Sequence, residues 1–521
     1  MDIVLATLNA KYIHSAFGLR YLLANLGPLR CRARLLEFDI NQRPLDIAEA
    51  LLAERPAIIG LGVYIWNVAQ TTELVAILKR LQPDLTIILG GPEVSYETDQ
   101  QLICHRADYI ITGEADLTFA ESCAALLAGR RPPTKVIPSP IPDFASLALP
   151  YNEYTNQDIA HRIVYVEASR GCPFSCEFCL SSLDIPVRQV ETTRFLVQLQ
   201  KLLDRGARHL KFVDRTFNLS LPTSQAILEF LLERHQPGHL YHFEIVPDRL
   251  PEQLKSIIAK FPPGALQFEV GIQTFNPEVA SLISRRQNYR RLEENLAFLR
   301  EHTSVHVHAD LIFGLPGEGL ESFAAGFDRL VRLGPEEIQV GILKRLRGTP
   351  IVRHDSEWGM IYSPLAPYEI LQTRLISFEV LQQLRRFARY WDLVANSGNF
   401  VETTPLIWAS AADMPAHAQG QESPFHSFLR FSDWLFAQVG RTDGIALFRL
   451  MELVFQFLTR VRGLPPHIVA NCLWSDYRRG GRKDKPSFLC PHLPDGPLPP
   501  QATAAPSIPK RQARRTAVRP G

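Results

Sequence analysis

Cysteine is sparse in this chain, eight in 521 residues, and so thin a scatter excludes the disulfide frameworks of small secreted domains. Charge imbalance is lacking too: 56 Lys and Arg stand against 54 Asp and Glu, a net charge of +2. So even a balance gives no reason to expect bulk attraction to nucleic acid or to a membrane surface. Long uninterrupted apolar runs are also missing. The most apolar late stretch, 446–461, is broken by Arg449, Glu452 and Arg460, and reads as a core helix rather than a membrane span. The chain opens on a strand-like segment, 3–8, without the basic region and cleavage site of a secretory signal. A cytoplasmic enzyme with no membrane partner is the expectation.

With 46% hydrophobic residues, 521 positions exceed one compact core and suggest two or three domains. Apolar runs at 3–8, 33–38, 57–63, 85–89 and 109–112 alternate with helical patterns such as 18–26 and 71–81. This alternation predicts an α/β fold with a doubly wound parallel sheet over residues 1–130, its ligands beyond the carboxyl ends of the strands. A linker is expected at 131–160, Pro-rich from 131 to 150. Strand-like runs then restart at 163–167, 209–213, 242–245, 267–271, 306–313 and 337–342. Six βα units predict a second parallel sheet, a central partial (β/α)6 barrel over 161–360. Helical periodicity at 370–395, 427–439 and 444–461 predicts a mostly helical region over 361–490. The Pro-rich, then basic, segment 491–521 is expected to be disordered, a solvated tail rather than a nucleic-acid arm.

Three of the eight cysteines fall within one short loop. Residues 166–179 read Val-Glu-Ala-Ser-Arg-Gly-Cys-Pro-Phe-Ser-Cys-Glu-Phe-Cys, at the end of the first strand of the second sheet. Thiolate is the preferred ligand of iron–sulfur centres, so Cys172, Cys176 and Cys179 are candidates to hold three irons of a 4Fe-4S cluster. No fourth cysteine lies nearby, which leaves one iron open to a substrate, a catalytic arrangement. Gly171 lets the loop turn tightly and Pro173 sets its path. A zinc site needs a fourth Cys or His, and the nearest, His161, precedes the strand. Cys31, Cys104, Cys123, Cys472 and Cys490 read as small buried or half-buried side chains.

This motif, its place after a first strand and the six βα units resemble the radical S-adenosylmethionine superfamily. The resemblance implies that S-adenosylmethionine chelates the open iron and is cleaved reductively to a 5′-deoxyadenosyl radical. A one-electron donor such as flavodoxin or ferredoxin is implied as a partner. Phe178 would lie by the adenine and Asp214, ending the second strand, near the methionine amine. Glu244 points from the third strand, and Glu269, Gly271 and Gln273 lie on the fourth, toward ribose and carboxylate. Gly314, in the fifth-strand turn 312–318, would back the adenine. Arg285 is a candidate bidentate partner of the carboxylate.

Residues 1–130 resemble the cobalamin-binding module that precedes many such enzymes, on the turns Gly90-Gly91-Pro92-Glu93 and Gly113-Glu114-Ala115-Asp116 and on Gly60-Leu61-Gly62. Gly60, Gly90, Gly91, Pro92, Gly113 and Glu114 are therefore candidate cobalamin contacts, the glycines permitting close backbone approach to a bulky planar ligand. The D-x-H-x-x-G motif that places an imidazole beneath cobalt does not occur. The first-strand loop 9–15 offers His14 as a candidate axial ligand, although a loop histidine is more often a surface group. Cobalt without a protein nitrogen is expected, which favours methyl transfer. A methylthiotransferase would need three more cysteines together near the N-terminus and a basic C-terminal RNA-binding barrel.

Residues 362–368 and 385–392 resemble a helical extension found behind this radical–cobalamin pair. Packing against the barrel and closure of the substrate cavity by Trp391 and Arg389 are its two readings. The expectation is a cobalamin-dependent radical S-adenosylmethionine enzyme that methylates an unactivated carbon of an unidentified substrate. The alternatives are radical rearrangement or cyclisation without methyl transfer, and a non-enzymatic cluster or cobalamin sensor. Neither a basic stripe nor an aromatic ladder points to nucleic acid.

Overall fold

The computed structural model describes residues 1–184, 186–409, 422–482, 484–493 and 512. The chain forms two compact units, one of Met1–Thr216, Lys344–Arg353 and Tyr362–Glu369, the other of Phe217–Leu343, His354–Ile361 and Ile370–Gly521.

The first unit holds a parallel sheet of β1 (Ile3–Asn9), β2 (Ala33–Asp39), β3 (Ile58–Gly62), β4 (Thr86–Gly90), β5 (Tyr109–Thr112) and β6 (Val136–Pro138). Their order is β2-β1-β3-β4-β5-β6. Successive side chains of a strand point to opposite faces, and β1 buries both. Val4, Ala6 and Leu8 enter one core with Ile47, Leu51 and Leu74, while Ile3 and Leu5 enter another with Leu19, Leu23 and Phe119. Helices therefore cover both faces, the doubly wound arrangement that the alternation implies. The strand order reverses between β1 and β3, where such folds open a crevice.

The Pro-rich stretch read as linker supplies β6. It lies at the sheet edge, where the N–H that Pro138 lacks leaves no ladder bond unmade. The same unit contains β7 (Val164–Val166), a short antiparallel pair of β8 (Ser169–Arg170) and β9 (Arg188–Gln189), and β10 (His209–Phe212), parallel to β7.

In the second unit β11 (Leu240–Ile245), β12 (Leu266–Gln273), β13 (His306–Phe313) and β14 (Glu337–Ile342) pair in parallel. With β7 and β10 they make up the six strands of the βα alternation. On β12, Leu266, Phe268, Val270 and Ile272 are buried, whereas Gln267, Glu269, Gly271 and Gln273 form a half-buried polar face.

The C-terminal region is mostly helical: Phe378–Val394, Pro424–Val439, Leu447–Gln456 and Pro466–Arg479. The helix read over 370–395 begins only at Phe378. Ile370–Gln372 is a short strand, after which the Thr373 hydroxyl accepts from the backbone N–H of Leu375 at 3.2 Å and Ile376 at 3.1 Å. Such side-chain capture competes with helix formation. The helix read over 444–461 starts at Leu447 and ends in a π turn, Phe457–Val461. Trp391 is a core residue, stacked on Phe387 and edge-on to Phe327 and Phe428, which supports the packing reading. Arg389, exposed, donates to Thr442 O at 3.3 Å. Cys104 and Cys123 are buried and Cys472 half-buried as expected; Cys31 and Cys490 are exposed instead, each in a short 3-10 turn. The expected disordered tail lies outside the described residues, apart from 491–493 and 512. Among the described residues no helix is long and apolar enough to cross a membrane.

Candidate cofactor site

The three clustered cysteines sit on the loop between β8 and β9. Gly171 has φ +89°, and a Cβ there would stand 2.7 Å from Asp184 O and 3.0 Å from Pro186 O, so the turn requires glycine. The Cys172 N–H donates to Asp184 O at 3.0 Å, and the Cys179 N–H to Cys176 O at 3.1 Å. The Ser182 hydroxyl donates to Cys179 O at 2.6 Å. Cys176 is buried; Cys172, Cys179 and the intervening Phe178 are half-buried. Burial pushes the Cys172 thiol above its usual range, and the charges of Cys179 and Cys176 add to the rise. Thiols close enough to oppose one another's ionisation need a cationic centre to hold three thiolates together, and iron supplies one. The donor set fits an iron–sulfur cluster. Beside the loop, Asp214 is buried and accepts from the Ser169 hydroxyl at 2.6 Å and the Ala168 N–H at 3.1 Å. Burial pushes its carboxyl up to about 7.

The loop is anchored through its stems. Arg170 on β8 lies directly opposite Arg188 on β9. Like charges so placed repel, and carboxylates compensate. Glu114 Oε2 accepts from Arg170 at 2.9 Å and from Arg188 at 3.0 Å, while its Oε1 accepts a second bond from Arg188. Asp116 accepts from Arg170 at 2.9 and 3.2 Å, and Glu167 at 2.8 Å. Asp184 accepts from Arg188 at 2.8 and 2.9 Å. The Arg170 guanidinium also lies over the Tyr21 ring, 4.3 Å from its centroid. Against the cost of burial, hydrogen bonds and charge from Arg188 and Arg170 hold the Glu114 carboxyl below its ordinary value. Burial raises Glu167 instead, and Arg170 only partly offsets it.

A cleft of about 210 Å³ opens at the carboxyl ends of β3, β4 and β5. Gly60, Gly90, Gly91, Gly113 and Glu114, all expected cobalamin contacts, line it. Gly91 has φ +111°, and a Cβ would stand 2.5 Å from Val63 O, so the chain turns there only without a side chain. The walls are apolar, with Leu19, Ile88, Ile111 and Phe119. A cleft with a glycine floor, apolar walls and a few charged groups fits one face of a planar cofactor. Asp116 and Arg170 line it as well. Neither stands among the residues assigned from sequence, although Arg170 lies two places before Cys172.

Pro92 lies outside the cleft lining and opens the turn Pro92–Val94. Its neighbour Glu93 is buried and accepts from the Tyr368 hydroxyl at 2.6 Å and Arg347 at 3.1 Å. His14 is also off the lining; its Nδ1 is 2.7 Å from the Tyr165 hydroxyl. Burial, with Lys11 and Lys211 nearby, lowers its affinity for a proton.

The remaining expected residues lie in the second unit. Glu244 is half-buried on β11. Glu269 pairs in register with His308 of β13, and His242 Nε2 is 3.0 Å from its carboxylate. Glu269, His308 and Asp310 each bring one ligand atom within 4.8 Å of the other two. Burial keeps the His308 imidazole below its usual pKa. Gln273, at φ +72°, ends β12 where the register shifts. Arg285 braces that end, donating to Ile272 O at 3.2 Å and to Gly271 O. Gly314 has φ +84°, and a Cβ would meet Ile370 Cγ2 at 2.6 Å. Glu318, in the same turn, accepts from the Thr274 hydroxyl at 2.7 Å, and burial pushes it up to about 7.

Residues 3–122 match the B12 binding domain, residues 166–330 the Radical SAM superfamily, and residues 356–494 a family described as a protein of unknown function (DUF4080). The cobalamin-dependent radical SAM methyltransferase TokK of Streptomyces tokunonensis is 24% identical over 326 residues, 55% of this chain and 47% of that protein. The uncharacterized methyltransferase PH0819 of Pyrococcus horikoshii is 29% identical over 203 residues, 34% of this chain and 43% of that protein. The chain spans about half the length of the curated relatives it matches, or less. Among solved structures, the cobalamin-dependent S-adenosylmethionine radical enzyme OxsB with aqua-cobalamin bound has a TM-score of 0.58 at 14% identity. The match covers 91% of this chain and 84% of that one, a shared fold.

Proposed function

From the premise that this chain belongs to the radical S-adenosylmethionine enzymes that carry a B12 binding domain, we propose that it is a cobalamin-dependent methyltransferase acting on an unactivated carbon. The observation that carries the reading is one compact unit containing both the cysteine loop and the glycine-floored cleft, joined through Glu114. When bound, the cluster supplies the electron that cleaves S-adenosylmethionine to a 5′-deoxyadenosyl radical, and cobalamin supplies the methyl group.

Cys172, Cys176 and Cys179 hold the cluster in this reading, and Phe178, Asp214, Glu244, Glu269, Gln273, Arg285 and Gly314 orient S-adenosylmethionine. Gly90 and Gly113, whose Cβ positions meet nothing closer than 3.5 Å, leave backbone open to the corrin ring, while Gly60 and Gly91 shape the floor by packing against Phe119 and the Val63 backbone. Cobalt without a protein imidazole is part of this reading. A one-electron donor such as flavodoxin or ferredoxin completes the system.

The test is analysis of iron, sulfide and cobalamin in protein purified without oxygen from cobalamin-supplied cells, beside a Cys172→Ala, Cys176→Ala, Cys179→Ala variant. About four irons, lost in the variant while cobalamin stays, are expected. With reductant, S-adenosylmethionine should then yield 5′-deoxyadenosine and S-adenosylhomocysteine. Cleavage without S-adenosylhomocysteine would remove methyl transfer and leave radical rearrangement. Absence of a cluster would overturn the whole reading.

A further inference from the structure

The cysteine loop hangs from two stems, and each stem ends in an arginine that binds the same carboxylate. Arg170 is joined through Gly171 to Cys172, and the turn between them is packed against the backbone of Asp184 and Pro186, which leaves that link little room to absorb a movement. Arg188 grips the side chain of Asp184, whose backbone carbonyl accepts the Cys172 N–H. Glu114 thus reaches the first cysteine by two separate routes. Glu114 and Arg170 are at the same time walls of the cleft.

We propose that Glu114, Arg170 and Arg188 form a latch through which occupancy of the cleft by cobalamin shifts the reduction potential of the cluster. The inference rests on both cofactors binding as described above. Four carboxylates, of Glu114, Asp116, Glu167 and Asp184, surround two guanidiniums here. A bulky ligand in the cleft expels water from beside these charges, and with less screening each acts more strongly on its neighbours. The cluster gains one negative charge on reduction, so its potential follows the field at the loop. The three residues act as positioning groups, because none of them supplies a ligand to iron.

The experiment is an electron paramagnetic resonance redox titration of the reconstituted full-length chain, with and without hydroxocobalamin, in wild type, Glu114→Gln and Arg188→Lys. Hydroxocobalamin should move the wild-type midpoint by at least a tenfold change in the one-electron equilibrium, about 59 mV. Glu114→Gln should abolish the shift, and Arg188→Lys should at least halve it, because an ammonium cannot bridge Glu114 and Asp184 as a guanidinium fork does. If Glu114→Gln fails to retain iron, Arg188→Lys decides the matter. An unmoved wild-type midpoint with both cofactors bound, or an equal shift in wild type and Arg188→Lys, would overturn the latch. Wild-type protein without iron or cobalamin would overturn the underlying function instead, a failure that metal and cobalamin analysis tells apart.

Discussion

Arg170 and Arg188 stand opposite each other across the β8–β9 ladder, and the Glu114 carboxylate accepts from both. Without that carboxylate two guanidiniums would face each other with less than a sixth of either side chain exposed. Breaking such a pairing from one side typically costs about 3–5 kcal/mol. Because Asp116, Glu167 and Asp184 remain, Glu114→Gln is expected to lie near the low end, at about 3 kcal/mol. Denaturant midpoints of the reduced apoprotein measure it, and a loss below about 0.5 kcal/mol, the range of ordinary surface changes, would show that the other three carboxylates suffice.

Gly171→Ala tests the turn. Its Cβ would meet Asp184 O at 2.7 Å with φ at +89°. A strained left-handed residue costs on the order of 1–3 kcal/mol, before any displacement of the loop. Iron content after anaerobic reconstitution should fall by more than half. Gly129→Ala is the control, since Gly129 also has positive φ but no atom within 4 Å of its Cβ. Equal iron in both variants would contradict the assignment.

Gly90→Val tests the cleft. A Cβ at Gly90 meets only Ile111 O, at an ordinary 3.8 Å, so the backbone admits a branch point there and the added methyls reduce cleft volume. Cobalamin affinity by equilibrium dialysis should drop at least tenfold with iron content unchanged. Wild-type affinity in the variant would place cobalamin elsewhere.

Asp214 gives the chain a pH signature. Its folded pKa of about 7 lies above the unfolded value near 3.9. Folding therefore favours the proton, and the contribution is complete below about pH 4 and lost as pH rises through about 7. Glu318, also raised to about 7, acts in the same direction. Asp214→Asn keeps an acceptor for Ser169 and Ala168 but cannot ionise. Its Tm should fall less than that of wild type between pH 5 and 8, and parallel curves would show that Asp214 does not titrate there.

Much of this architecture was local information. Strands β5, β13 and β14 span the residues that apolar patterning marked, because a strand's faces are set by alternation alone. The cysteine loop was legible for a similar reason: thiolate chemistry and spacing within one turn need no distant partner. Arg170 carries no local signal of its role, because Glu114 and Asp116 lie 56 and 54 positions away and only the packed sheet brings them to it. Val136–Pro138 looked like linker because an edge strand is defined by its neighbour, here β5. Helical periodicity at 370 gave way to a strand and a turn for the same kind of reason, with Ile370 held against Gly314 and the Thr373 hydroxyl holding nearby backbone. Sequence determined most of the elements and the cysteine chemistry, which depend on covalent order and short-range pattern. Tertiary structure decided which charges share a carboxylate and which glycines face a cleft, since burial and electrostatics depend on residues that only folding brings together.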